Sequence, residues 1–204
     1  MAILGQEKLA AVNEILEAIN ETPVTSLGGP GEIHKDAENV LDRMNIRIQS
    51  WGWPENLQEN VTSPSPSGGI ITMASSTLAV RAVGVDRHRS ISLRLDKLYE
   101  GAPSSSISGF GTSTVQLDVV EKLSFDDCTP LLKDAIIAAA SVTFQRRKKG
   151  SLQQDAYLQQ EFMRAVVVVD ATRREPLYQN GPPTWHTPLL PLPGSSGGES
   201  ANAR

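Results

Sequence analysis

The sequence has little of three features that place a protein in a class: cysteine, long apolar runs and clustered histidine. Its single cysteine, Cys128, cannot form an internal disulfide, which favours a protein made in a reducing compartment. The longest apolar runs, residues 135–142 and 165–169, are too short to cross a bilayer, so no membrane insertion is expected. The N-terminus has no basic segment followed by an apolar one, so we expect no secretion signal.

Groups that could carry out catalysis are equally sparse. His34, His88 and His186 fall in three separate predicted loops, and no spacing joins them as metal ligands. Cys128 lies in no catalytic-thiol pattern, and no serine lies in a Gly-x-Ser-x-Gly elbow. The sequence therefore predicts a protein that is not an enzyme and that uses no metal and no cofactor.

What the sequence does have is enough apolar content for a folded core. At 204 residues and 39% hydrophobic, it can form one core, or one core with a small satellite domain. Its net charge of −4 argues against a dedicated nucleic-acid binder, because such proteins neutralise phosphates with clustered Lys and Arg. A protein past which DNA slides remains compatible with this charge.

Two amphipathic helices are predicted before residue 54. Apolar residues recur at helical spacing over residues 9–19 and again over residues 37–51. The predicted buried stripes are Leu9, Val12, Ile15, Leu16 and Ile19 in the first helix, and Ala37, Val40, Leu41, Met44, Ile48 and Trp51 in the second. The predicted outward residues of the second helix are Asp42, Arg43, Asn45, Arg47 and Gln49.

The end of the second helix is predicted to form a rigid corner made of Trp51, Gly52 and Trp53. Pro54 disfavours helical dihedrals at Trp53, and Gly52 can adopt the left-handed conformation that ends a helix, so the helix should end at about Trp51. Trp53 can then fold back onto Ile48. The alternative is that the tryptophans anchor a partner.

The period changes from helical to alternating beyond this corner. Strands are predicted over residues 70–73, 77–85, 90–96 and 114–123. The polar residues 86–89 have the length of a hairpin connection between the second and third of these strands. In the third, Ile91, Leu93 and Leu95 are expected to share a buried face. These features predict a small antiparallel sheet within residues 55–124.

A third helix is predicted over residues 130–148. Thr129 suits the N-cap, Pro130 suits the first helical position, and Gly150 ends the helix. Leu131 is expected on its apolar face. The last turn holds the densest cluster of charge in the chain, consisting of Arg146, Arg147, Lys148 and Lys149. This cluster is either a solvated helix end, where cations are favoured by the helix dipole, or a contact for DNA or an acidic partner.

A fourth helix is predicted from Ser151 through the valines at 166–169, ending at Pro176. Its inward residues are expected to include Leu152, Ala156, Phe162 and Met163. Residues 176–193 carry six prolines together with apolar side chains, so they predict an extended arm. The arm could lie in another subunit's groove or fold back on its own domain. Residues 194–204 are polar and expected to be disordered.

These patterns predict an α+β fold: a mainly helical four-helix bundle with an inserted small antiparallel β domain and an extended C-terminal arm. The predicted domains are residues 1–54 (first half of the bundle), 55–124 (β domain), 125–175 (second half), 176–193 (arm) and 194–204 (tail).

The opening stretch resembles a known family. The order Leu9-x-x-Val12-Asn13-Glu14-Ile15-Leu16-x-x-Ile19, Pro23-Val24-x-x-Leu27 and Ala37-x-x-x-Leu41-x-x-x-Asn45-x-x-Ile48-Gln49-Ser50-x-Gly52-Trp53 is similar to the N-terminal half of tail tubular protein A. That family forms the head-to-tail adaptor, or gatekeeper, of short-tailed bacteriophages. The motifs cover about the first 55 residues. Beyond them the order of elements agrees, while individual residues match poorly.

The resemblance implies a structural protein of the virion tail, assembled in the host cytoplasm. Members of the family form a twelve-fold ring between the portal protein and the tail nozzle, a tail tubular protein B-like protein, and double-stranded DNA crosses the ring on ejection. The C-terminal arm is expected to lock onto the portal. Carried onto this chain, the candidate portal contacts are Tyr178, Trp185, Leu189, Leu190 and Leu192.

Two other functions remain open from the sequence. A tail-associated cell-wall hydrolase would need a catalytic carboxylate, for which the Asp126-Asp127 pair is a weak candidate. A DNA-binding regulator would use the basic residues 146–149.

Overall fold

The computed structural model describes residues 6–29, 31–100 and 110–177, with only the backbone described over residues 172–177. Four helices and six strands are present within these ranges. In chain order they are α1 (Gln6–Glu17), α2 (Glu32–Gln49), β1 (Leu57–Thr62), β2 (Ile71–Thr72), β3 (Thr77–Ala82), β4 (Ile91–Arg94), β5 (Lys97–Glu100), β6 (Gln116–Glu121), α3 (Pro130–Lys148) and α4 (Leu152–Leu177). The fold is α+β, as the sequence predicts. The predicted tail and all of the predicted arm beyond Leu177 lie outside the described residues.

The four helices share one hydrophobic core. The apolar stripes of α1 and α2 meet α3, while α4 covers another side of α3. The largest fully buried side chains of this core include Ile15, Leu16, Ile19, Leu41, Ile48, Leu132, Ile136 and Phe144. The helical spacing over residues 9–19 and 37–48 therefore marks buried faces, as predicted.

The bounds of α3 agree closely with the local signals. The Thr129 side chain accepts a hydrogen bond from the Leu132 N–H at 3.4 Å, and Pro130 occupies the first turn. After the helix, Gly150 has φ of +64° and its N–H donates to the Gln145 carbonyl at 3.0 Å. The prediction that Leu131 lies on the apolar face is wrong, because its side chain is exposed at the start of the helix.

The valine run at 166–169 is helical, as predicted, but only one side of α4 is buried. Leu158 and Val169 are buried, and Phe162 packs partly against the core. The predictions that Leu152 and Ala156 point inward are wrong, since Leu152 is 87% exposed and Ala156 is also exposed. Leu152 lies about 120° around the helix from Leu158, outside the packed side. The helix also continues through Pro176 to Leu177, because the φ fixed by proline is compatible with a helix.

The strands form two three-stranded antiparallel sheets with orders β1-β6-β3 and β2-β5-β4, rather than one sheet. The predicted hairpin across residues 86–89 is wrong, because β3 pairs with β6. Gly84, with φ of +58°, begins a 3-10 helix, Gly84–Asp86, that turns the chain away from β3. The Asp86 carboxylate accepts from the Gln116 N–H at 3.0 Å, which holds this turn against β6.

The hairpin that does form joins β4 to β5 through Leu95 and Asp96. Leu95 has φ of +57° and is 97% exposed, so its predicted place on the buried face is wrong. The reason is that the turn interrupts the alternation one residue after Arg94. A second, smaller core lies between the sheets and contains Ile71, Leu98, Phe110, Val115, Leu117 and Val119.

Candidate functional site

The predicted corner is present at the C-terminus of α2. Gly52 has φ of +71° and its N–H donates to the Gln49 carbonyl at 2.9 Å, as expected of a helix-ending glycine. The regular helix ends at Gln49, slightly before the predicted end at Trp51. Trp53 folds back as predicted, with its indole Nε1 donating to the Ile48 carbonyl at 2.8 Å. Because Trp53 is buried, its side chain packs inside the protein and is not available to anchor a partner.

Asn56 connects this corner to the sheet. Its Oδ1 accepts from the Trp53 N–H at 2.7 Å, and its Nδ2 donates to the carbonyls of Gln49 at 3.0 Å and Glu121 at 2.9 Å. The Glu121 N–H in turn donates to the Asn56 carbonyl at 2.8 Å. One buried amide therefore joins the end of α2 to the end of β6.

Gln49 makes the second connection, and its predicted outward position is wrong. The side chain is fully buried, and its Oε1 accepts from the Leu123 N–H at 2.7 Å. Its Nε2 is within hydrogen-bonding distance of Asn45 Oδ1 (2.6 Å), the Leu123 carbonyl (3.1 Å) and Cys128 Sγ (3.3 Å). We call Asn45, Gln49, Asn56, Leu123 and Cys128 the junction, because together they tie α2, β6 and the start of α3.

The positions of the two amides along α2 indicate that they are buried. Ala37, Leu41, Asn45 and Gln49 follow one another at intervals of four, so the two amides continue a row whose first members are apolar. Asn45 and Gln49 are both buried, whereas Asp42, Arg43 and Arg47 point outward as predicted. Polarity alone therefore assigns the amides to the wrong face.

Cys128 is a structural member of the junction. Its Sγ donates to the Ser124 carbonyl at 3.3 Å and lies at the Gln49 amide. Burial, followed by the charge of Glu55, raises the pKa of the thiol to about 12. A thiol held protonated in this way is a poor nucleophile.

We expect Cys128 to report whether the junction is closed. At pH 8 a pKa of about 12 leaves about a thousandfold less thiolate than in an ordinary cysteine, and the greater nucleophilicity of a more basic thiolate offsets only part of this. A disulfide reagent should therefore react at least about tenfold more slowly with the native protein than with the unfolded protein. The measurement is the rate of thionitrobenzoate release with and without urea. Equal rates in the two states would contradict a closed junction.

Three of the four cations in the basic cluster are held by acidic neighbours. Arg146 Nη2 donates to Asp155 Oδ2 at 3.0 Å, and this contact lowers the pKa of the Asp155 carboxyl. Lys148 pairs with Asp36, and Lys149 lies 3.3 Å from Glu21. Within the described residues, Arg147 is the member of the cluster that has no ion-pair partner. The cluster therefore connects α3 to α4, to α2 and to the segment after α1.

A partly open groove of about 140 Å³ lies beside this cluster, between α2, α3 and α4. Apolar side chains form most of its wall, and Arg47 and Arg146 also line it. The lining residues are Met44, Arg47, Ile48, Trp51, Ala139, Val142, Thr143, Arg146, Gln159 and Phe162. The sequence places Trp51 in the stripe of α2 but gives no sign that three helices form a groove here.

In the part of the chain that the structure describes, no three His, Cys, Asp or Glu side chains are grouped closely enough to hold a metal ion. Over the same ranges no helix is both long and apolar enough to span a membrane. The candidate portal contacts Tyr178, Trp185, Leu189, Leu190 and Leu192, together with His186, lie outside the described residues.

Comparison with known families identifies the chain more specifically than its geometry does. The family described as tail tubular protein matches residues 9–176, which span every described helix and strand apart from the first residues of α1 and the last residue of α4. No curated protein matches the chain. Because the match covers most of the sequence, the chain belongs to the tail tubular protein family, and it is a structural protein of a bacteriophage tail.

Proposed function

We propose that this protein is the head-to-tail adaptor of a short-tailed phage, a ring of twelve copies between the portal and the tail nozzle through which genomic DNA passes on ejection. The observation that carries the proposal is the family match over residues 9–176, which extends the resemblance of the first 55 residues across the whole described fold. The proposed architecture is a four-helix bundle with an inserted β domain, divided at residues 54 and 124.

The junction supports this role. A ring subunit that contacts one neighbour above and another below must keep its two ends at a fixed angle. Gln49 and Asn56 are buried, and their side-chain hydrogen bonds join α2 to β6 and to the start of α3. Buried, satisfied polar networks fix one arrangement of the elements they join. The helical part and the β1-β6-β3 sheet should therefore move as one body.

Charge supports passage of DNA. Twelve copies of a chain with net charge −4 form an acidic ring, which repels phosphates and lets a duplex slide without being held. The pairing of Arg146, Lys148 and Lys149 with carboxylates reduces the basic surface available to bind phosphates. In this account Arg147 is the member of the cluster best placed to contact a partner.

The arm is proposed to provide the portal contact, through Tyr178, Trp185 and the leucines at 189, 190 and 192. Buried aromatic and apolar anchors carry most of the binding energy of an interface, at about 2 kcal/mol or more each. We therefore expect removal of residues 178–204 to weaken binding to purified portal rings by about a hundredfold or more. The measurement is co-sedimentation with the rings, with circular dichroism to check that the truncated chain is folded.

The matched control for this truncation is removal of residues 194–204 alone. It takes away the polar tail and leaves all five candidate anchors, so binding to the portal should be unchanged. If the chain ending at residue 177 sedimented with the portal as well as the full-length chain, the assignment of the arm would be wrong. If the full-length chain did not bind either, the adaptor role itself would be wrong.

A further inference from the structure

Two exposed faces of opposite charge lie on different sides of α3. We call the first the basic face: Arg43 and Arg47 on α2, together with the adjoining groove. We call the second the acidic face: Glu14 on α1, Asp134 on α3, and Tyr157 and Glu161 on α4. All six side chains are exposed.

The basic face combines free cations with apolar surface. Arg43 and Arg47 are four residues apart, so they lie on the same side of α2. Neither side chain has an ion-pair partner among the residues the structure describes. Ile46, which is 41% exposed, lies beside them, and the groove offers Trp51 and Phe162 on its wall.

The acidic face combines unpaired carboxylates with an exposed aromatic ring. Glu14, Asp134 and Glu161 are exposed on α1, α3 and α4, three helices that share one hydrophobic core. Partial burial, followed by the charges of Asp134, Glu161 and Glu17, raises the pKa of the Glu14 carboxyl. In the described part of the chain no Lys or Arg pairs with Glu14, Asp134 or Glu161. The Tyr157 ring is 62% exposed, and its hydroxyl donates to Glu161 at 3.2 Å.

The helix period puts the two faces on different sides of the same helices. Asp134 and Thr143 are nine residues apart on α3, or about 180° around the axis, and Thr143 lines the groove. On α4, Gln159 lines the groove, and Glu161 lies about 200° further around. One copy can therefore present its acidic face while its basic face remains open to another copy.

We propose that the basic face of one copy binds the acidic face of a second copy, with Tyr157 entering the groove and Arg43 and Arg47 pairing with the carboxylates of Glu14, Asp134 and Glu161. This inference rests on the proposed function, because the contact is the one that would join neighbouring copies in the proposed ring. Such a head-to-tail contact uses two different patches, so repeating it closes a ring when the rotation per copy allows.

Each element of the contact has a physical reason. Tyr157 supplies a rigid amphipathic anchor, and an arginine that lines the groove can stack on its ring. Pairing relieves the repulsion among carboxylates that have no ion-pair partner among the described residues of their own chain. Opposite charges across the interface also set its register and speed association. Because the charges are exposed, association should weaken as salt is raised.

The first test is a charge swap. Arg47→Glu and Glu161→Arg should each weaken self-association by about tenfold or more, and the doubly substituted chain should recover to within about threefold of the unsubstituted chain. Self-association is measured by analytical ultracentrifugation up to millimolar concentration, and by native mass spectrometry of copies bound to portal rings. The matched controls Arg87→Glu and Glu59→Arg make the same charge changes on exposed residues outside both faces and should have no effect.

The second test is a cross-link. A chain carrying both Arg47→Cys and Glu161→Cys should give a ladder of covalent multimers under mild oxidation, with and without portal rings, while each single substitution should give none. Cys128 is buried and does not interfere. Absence of the ladder together with no recovery in the charge swap would overturn the inference. So would an effect of Arg47→Glu on portal binding alone, which would make the portal the partner of the basic face.

These outcomes separate the inference from the adaptor role. A ladder in a chain that fails to bind portal rings would support the contact between copies and contradict the adaptor. Normal binding to the portal without a ladder would support the adaptor role and contradict the proposed contact between copies.

Discussion

Replacing Gln49 by leucine is expected to lower the free energy of unfolding by about 3 kcal/mol. The two side chains are similar in size, so the change acts through polar groups and leaves no large cavity. It leaves the half-buried Leu123 N–H without the Gln49 oxygen and removes the contacts of the buried amide to Asn45 and Cys128. Each buried group left without a partner costs about 1–3 kcal/mol. The midpoint of thermal unfolding should fall by about 10 °C.

The control for this change is Gln160→Leu. Gln160 lies on the exposed side of α4, so its replacement should alter stability by no more than about 0.5 kcal/mol. Both variants are compared by urea unfolding followed by circular dichroism. In the Gln49 variant the reaction of Cys128 with disulfide reagents should also accelerate, because the junction opens more often. Equal stability of the two variants would show that the junction does not hold the helices to the sheet.

Replacing Gly52 by alanine is expected to lower the free energy of unfolding by about 2 kcal/mol. Its φ of +71° is unfavourable for any residue with a Cβ, at about 1 kcal/mol or more. An added Cβ would also lie 3.1 Å from Cγ2 of Val120 on β6, closer than an ordinary contact. Val120 is fully buried and pairs with β1 and β3, so it has little room to move.

Gly150→Ala separates these two causes. Gly150 has a similar φ of +64°, yet nothing lies within 4 Å of the position its Cβ would take. The Gly150→Ala variant should therefore lose only the free energy that the positive φ costs a residue with a Cβ, about 1 kcal/mol. The difference between the two glycine variants, read from their unfolding midpoints, measures how tightly the corner packs against the sheet. A Gly52 variant no less stable than the Gly150 variant would contradict that packing.

The helices could be predicted from the sequence because their signals are local. The two ends of α3 are set by contacts within a few residues of Thr129, Pro130 and Gly150. In α1 and α2 the apolar residues recur at every turn of the helix, so a short segment is enough to reveal the buried stripe. The context of residues 166–169 correctly predicts a helix, although valine favours strands. Its flanking helical pattern outweighs that preference.

The sheets could not be predicted to the same degree because strand pairing is not local. β3 pairs with β6 across about 35 residues of intervening chain, and what prevents its pairing with β4 is a turn at Gly84 held by Asp86 and Gln116. β1, with the sequence Leu57-Gln-Glu-Asn-Val-Thr62, has no apolar alternation and gave no strand signal. β5 has only four residues, of which Leu98 alone is fully buried, so its sequence has no apolar alternation that would predict a strand.

The candidate sites divide in the same way. The corner at Gly52 and Trp53 was found because a helix-ending glycine before a Trp-Pro pair is a local pattern. The buried roles of Gln49 and Asn56 depend on partners more than 60 residues away, Leu123 and Glu121, so no local pattern reveals them. The two charged faces likewise need α1, α2, α3 and α4 in place before their residues come together.

Electron microscopy of the purified chain mixed with portal rings is the decisive experiment for the proposed adaptor ring. We expect twelve copies in a closed ring coaxial with the portal, with an open central channel and with the basic face of each copy against the acidic face of the next. Copies that stay single beside intact portal rings, or a ring whose channel is too narrow for duplex DNA, would contradict it.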